Sequence, residues 1–113
     1  MKNQLQQGDV TLEMVTEIPV TAKEQKDESG IVLALGEVTG HAHRVKGKAR
    51  LFVDGNGVRF LETDTETELI HDTNGSYIPG VNHEPVKLPK AIFRIGQINE
   101  MDHIEKAARK VID

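Results

Sequence analysis

Three histidines have the spacing from which chemistry can be read: His41 and His43 in Gly-His-Ala-His, and His83 in Pro-Gly-Val-Asn-His. Side chains alternate along a β-strand, so an H-x-H pair sends both imidazoles to one face about 7 Å apart. Two neutral imidazoles so placed can converge on one divalent ion, and a third ligand from a distant segment completes a site that keeps a position open for water, a carboxylate or substrate. His83 is the leading candidate for that ligand, because it begins a later strand after a sharp turn and a Greek-key or barrel topology can bring such distant strands side by side. Imidazole nitrogen suits Zn, Mn, Fe and Ni alike, so the residue types do not select the ion. The competing readings are structural: a half-exposed strand histidine is more often a surface or hydrogen-bonded residue than a ligand, and these histidines could simply brace a turn by hydrogen bonds to backbone carbonyls. His71, at the end of a polar Thr-rich strand, and His103, facing outward from a C-terminal helix, are less committed to a site.

The elements that must hold these rings are strands. Asp9 to Ile18 alternates, with Val10, Leu12 and Met14 opposing Thr11, Glu13 and Val15, and Pro19 ends it. Thr21 to Gly30 is polar and without periodicity, which predicts an exposed loop. Ile31 to Val38 is apolar on both faces, as a central strand requires, and Gly36 suits a bulge. Thr39 to Lys46 carries the two histidines and Val45 on one face, with Ala42 and Arg44 on the other. Ala49 to Val53 and Val58 to Glu62 flank Asp-Gly-Asn-Gly at 54–57, whose residue types supply the positive φ of a tight hairpin. Thr63 to His71 extends the set, Asn74-Gly75 and Pro79-Gly80 mark turns, and Pro89 separates strands over His83 to Leu88 and Ala91 to Ile98. From Asp102 the period changes: Ile104, Ala107, Ala108, Val111 and Ile112 fall on one helical stripe behind an Asp102/Glu105 capping box. A short C-terminal helix or an extended tail both fit that segment.

About seven short strands with regular turn signals predict an all-β domain, a small antiparallel barrel or sandwich, in one unit over residues 1–113. A chain of 113 residues has no room for a second core. The composition narrows the function. A net charge of −4 argues against general nucleic-acid binding, and the absence of cysteine removes disulfides, thiolate zinc sites, iron–sulfur ligation and cysteine nucleophiles together. No apolar run approaches the ~20 residues of a membrane helix and the first residues lack a leader pattern, so a cytoplasmic protein without a membrane partner is expected. Neither serine sits in a G-x-S-x-G elbow, so serine hydrolysis is not expected.

Two resemblances follow from these motifs. Gly36, Glu37, Thr39, Gly40, His41 and His43 in GEVTGHAH resemble the first signature of the cupins, and Pro79, Gly80 and His83 in GSYIPGVNH resemble the second, where a proline-glycine turn leads to the third histidine ligand. The resemblance implies a cupin-like barrel with a divalent ion on His41, His43 and His83. The pattern departs in places: no glutamate follows His43 within four residues, which leaves Glu62 or Glu84 to stand in as a fourth ligand. Over nearly the whole chain, QGDV, GEVTGHAHR, HEPVKLPKAIFRIGQ and the terminal RKVID resemble a family of small uncharacterised proteins encoded in bacterial genomes and in phages or other mobile elements. That likeness implies one β domain and no particular reaction, enzymatic or otherwise, and names no small-molecule ligand.

The alternative to a metal protein is a non-enzymatic phage or mobile-element accessory protein that works through protein contacts or as a homo-oligomer, with an edge strand or the C-terminal segment and its stripe of Ile104, Ala107, Ala108, Val111 and Ile112 as the adhesive face. Asp64, Glu66 and Glu68, and the basic set Lys46, Lys48, Arg50, Lys87 and Arg94, read as solvated charge.

Overall fold

The computed structural model describes residues 4–26, 30–35 and 40–98. They form ten strands: β1 Gln4–Gln7, β2 Val10–Val15, β3 Lys23–Gln25, β4 Ile31–Leu35, β5 His41–Lys46, β6 Ala49–Val53, β7 Arg59–Thr63, β8 Thr67–Thr73, β9 Val86–Leu88 and β10 Ile92–Gln97. All pairings are antiparallel, in a six-stranded sheet of order β1-β2-β10-β7-β6-β3 and a four-stranded sheet of order β4-β5-β8-β9. The sheets do not close into a barrel. The domain is therefore a sandwich, and the cupin-like barrel is not the architecture found.

One core joins the sheets. Val10, Leu12, Leu51, Leu61, Phe93 and Ile95 from the six-stranded sheet meet Leu33, Val45, Leu69 and Leu88 from the other. Register explains why these residues share a face: Leu12 lies opposite Ile95 and Leu51 opposite Leu61, which is itself opposite Phe93. Directly opposed residues of an antiparallel pair point the same way, so each row stands inward together. Burying some ten aliphatic and aromatic side chains, at ~1.5–3 kcal/mol each, is the main stabilising contribution.

The 54–57 hairpin forms as its residues predict. The Asp54 carboxylate accepts the backbone N–H of Asn56 and of Val58, and Gly57 takes φ +82°. Three strands depart from expectation, the first being β4, expected to be central from its two apolar faces but an edge of the four-stranded sheet. β1 lies in the polar N-terminal stretch, and β3 crosses the segment expected to be a loop; both are sheet edges that gain their structure from the ladder. The bulge falls at Leu33, between Val32 and Ala34 in the pairing with β5. The one expected at Gly36, like the C-terminal helix with its apolar stripe and His103, lies outside the described residues. No helix among the described residues is long and apolar enough to cross a membrane.

Candidate functional site

The inner face of the four-stranded sheet changes character along β5 and β8. Val45 opposes Leu69; one pair further along, His43 opposes His71; the next pair is His41 with Thr73. His43 and His71 are 4% and 5% exposed, as deep as the aliphatic core beside them. The His43 and His71 ring centres are 4.6 Å apart, and the His41 ring meets His71 edge-on at 5.1 Å.

His83 joins from the segment between β8 and β9. It does not begin a strand, as its sequence suggested, but sits in the irregular run before Val86, with its ring centre 4.8 Å from His71 and 6.4 Å from His43. The three histidines singled out by spacing thus come together in one cluster, with His71 at its hub. His71 ends a Thr-rich polar strand in the sequence, which hides its inward position. Its parity with Leu69, two residues earlier in the strand, was the available signal that it points inward.

Hydrogen bonds assign the protons. The Gln7 side-chain Nε2 donates to the Leu69 and Glu84 carbonyls at 2.9 and 3.0 Å, which leaves its Oε1 as an acceptor for the His43 Nδ1–H at 2.9 Å. His43 therefore keeps the lone pair on Nε2. In His71 the roles are reversed: Nδ1 accepts the His83 backbone N–H at 2.9 Å, with the Asn82 Nδ2 at 3.4 Å, so the neutral ring has its proton on Nε2. Asn82 is oriented by its own bonds, since Oδ1 accepts the Ile78 N–H at 2.7 Å while Nδ2 donates to Thr73 Oγ1 at 2.9 Å. Among the described residues the rings of His41 and His83 are tied by no hydrogen bond.

Electrostatics favours the neutral form of His43 and His71. Burial, then the neighbouring His71 and His83 imidazoles, push the His43 pKa from 6.5 down to about 4, against an opposing pull from Asp9 and Asp72. Burial also lowers the His71 pKa, followed by the influence of His83 and His41, with Asp72 opposing. Asp72 itself is committed on the outer face, where its Oδ2 takes the Arg44 Nε–H at 2.9 Å.

The β1–β2 turn roofs the rings. Gly8 there has φ +56°, and a Cβ built on it would stand 3.0 Å from His83 Nε2 and 3.2 Å from His43 Cε1. Glycine is needed for both conformation and clearance.

The ligand test is a matter of distance and direction. Two imidazoles sharing one ion at a metal–nitrogen distance of about 2.1 Å have ring centres roughly 5 Å apart. The separations of 4.6–5.1 Å around His71 match that spacing, and the 6.4 Å between His43 and His83 exceeds it. In this arrangement no group of three or more His, Asp or Glu side chains among the described residues is placed to hold a metal ion. Of the carboxylates considered as a fourth ligand, Glu62 pairs with Arg50, and Glu84 meets the network through its backbone carbonyl.

Sheet topology and ring cluster together define a class, a small two-sheet β-sandwich with four clustered imidazoles, two of them buried at the inner face of the four-stranded sheet. The chain belongs to a family described as a domain of unknown function, DUF8820, whose model matches residues 6–97. The matched span runs from β1 through β10 and contains all four clustered histidines. No curated protein and no solved structure matches the chain.

Proposed function

We propose that this protein binds one divalent transition-metal ion of the Zn, Mn, Fe or Ni class through His41, His43 and His83, with His71 as the brace that holds the third ligand's backbone. The observation that carries this reading is the pair of opposite tautomers at the hub. His43 has Nδ1–H fixed by Gln7 and presents an Nε2 lone pair, the arrangement in which a histidine ligand is oriented from behind by a second residue. A pKa of about 4 keeps that lone pair available at neutral pH. Uptake requires the rings of His41 and His83 to turn about their side-chain torsions. Neither ring is tied by a hydrogen bond among the described residues, so the motion breaks none. An ion held this way would polarise an oxygen atom of a bound molecule or activate water.

Equilibrium dialysis of untagged protein against Zn2+, followed by elemental analysis, tests the reading. About one equivalent retained by the native chain, and loss of that equivalent in His43→Ala, is the expected result. Metal well below one equivalent, or retention unchanged by His43→Ala, overturns it.

A second reading is favoured by one contact, the His83 N–H on His71 Nδ1. On that reading the cluster is a brace for the 74–83 turn. His71→Ala would then destabilise the chain equally with and without Zn2+, and no histidine variant would alter metal content.

A further inference from the structure

A second polar feature stands between the sheets, and it is charged. Arg59 opposes Val53 on one side and Ile95 on the other, and Ile95 opposes Leu12, so the row Leu12, Ile95, Arg59, Val53 points into the sandwich. A guanidinium in an apolar row is expensive to desolvate and ordinarily has a carboxylate beside it. The other described arginines do: Arg44 pairs with Asp72, Arg50 with Glu62 and Asp64, and Arg94 with Glu13. Arg59 makes no ion pair among the described residues. Burial alone pulls its pKa down, with no carboxylate raising it. Its one hydrogen bond among the described residues, from Nη2, goes to the carbonyl of Leu33, the residue that the β4 bulge leaves without a register partner. A guanidinium has five N–H donors, so most of its capacity is unused.

The same side chain lines a pocket of about 170 Å3 together with Lys26, Gln25, Gly30, Ile31 and Leu51. At ~30 Å3 per water, that is room for a small oxyanion with part of its hydration. Two cationic side chains and one amide supply donors, and three aliphatic residues, Ile31, Val32 and Leu51, supply a drier wall.

We propose that this pocket is a binding site for a compact oxyanion, a phosphate or carboxylate group, anchored by Arg59 with Lys26 as the second cation. Planar N–H donors of a guanidinium match the paired oxygens of such a group, and the low-dielectric flank strengthens each bond. The proposal is independent of the imidazole cluster and stands whether or not that cluster takes up metal.

The test is an NMR titration of the full chain, with inorganic phosphate and with acetate as separate probes, at ionic strength held constant with chloride. The Arg59 side-chain Nε–H and the backbone amides of Gln25, Lys26 and Gly30 should shift together along a saturable curve. Lys26→Gln should weaken binding about tenfold, the loss expected for one charge-assisted bond. Arg59→Lys, which keeps charge but loses the fork, should weaken it more. Saturation by phosphate alone identifies a phosphate-bearing ligand, and saturation by acetate alone a carboxylate. If neither probe saturates, or if Lys26→Gln and Arg59→Lys titrate as the native chain does, the pocket is not an anion site. Should Arg59→Lys fail to fold, the native titration and Lys26→Gln, whose changed side chain is exposed, decide the matter.

Discussion

Along β5 and β8 two neighbouring stretches of the same inner face solve burial differently. Val45 and Leu69 are 7% and 0% exposed and need only volume around them. His43 and His71 lie equally deep, yet each needs specific partners brought from elsewhere: Gln7 from β1, and Asn82 with the His83 N–H from the turn before β9. An aliphatic pair at that position would supply stability without those bonds, as replacing buried polar networks with apolar side chains often shows. The contrast teaches that equal depth asks for volume at one pair and for specific hydrogen-bond partners at the other. It also shows where sequence-distant segments are obliged to meet.

Breaking the apolar stretch should have the largest effect. Leu69→Ala is expected to cost ~2–5 kcal/mol in urea unfolding, with the loss indifferent to added Zn2+. Indifference to metal is what marks it as core.

Acid should act on the imidazole stretch through His43 and His71. His43 has a folded pKa near 4 against 6.5 in the ordinary state, so between those values the unfolded chain binds more protons than the folded one. Stability is then complete above about pH 6.5, falls as pH drops toward 4, and levels below that, by roughly 3 kcal/mol for this residue. His71 adds in the same direction. Urea midpoints measured from pH 7 to 4 should show this slope, and His43→Leu should flatten it; an unchanged slope in the variant would place the effect elsewhere.

Gln7→Leu sharpens the comparison by removing the orienting amide without touching a ring. Leaving the Leu69 and Glu84 carbonyls and the His43 N–H short of a partner should cost ~1–3 kcal/mol in thermal or urea unfolding, and metal retention should fall with it. Gly8→Ala is milder in stability, ~1–2 kcal/mol, because it strains one left-handed residue. Its added methyl crowds His83 and His43, so dialysis should report reduced Zn2+ retention with every imidazole still present. Smallest of all, Arg94→Ala on the solvent face breaks the 2.6 Å pair with Glu13 and should change stability by less than about 1 kcal/mol.

Much of this arrangement is written locally. The period-two pattern of Val10, Leu12 and Met14, the 54–57 turn, and the shared face of His41 and His43 all follow from alternation and turn chemistry. What escapes local reading depends on partners. β1 and β3 are polar, Gln-Leu-Gln-Gln and Lys-Glu-Gln, and become strands because β2 and β6 offer ladders to them. His71 looks like part of a solvated stretch until its strand is paired with β5, and the same holds for Arg59 beside Leu61. The proximity of His83 to His43 is encoded in no spacing; it arises because Asn82 pins the 78–82 turn beside Thr73.

The most direct measurement of the central claim is the long-range proton–nitrogen NMR spectrum of the imidazoles, taken with and without one equivalent of Zn2+. The account predicts His43 as the Nδ1–H tautomer and His71 as the Nε2–H tautomer in the metal-free chain. On adding Zn2+, ring nitrogens of His41, His43 and His83 should shift while the His71 pattern stays. A His43 ring protonated on Nε2, or a shift confined to His71 or absent from the other three, would contradict it.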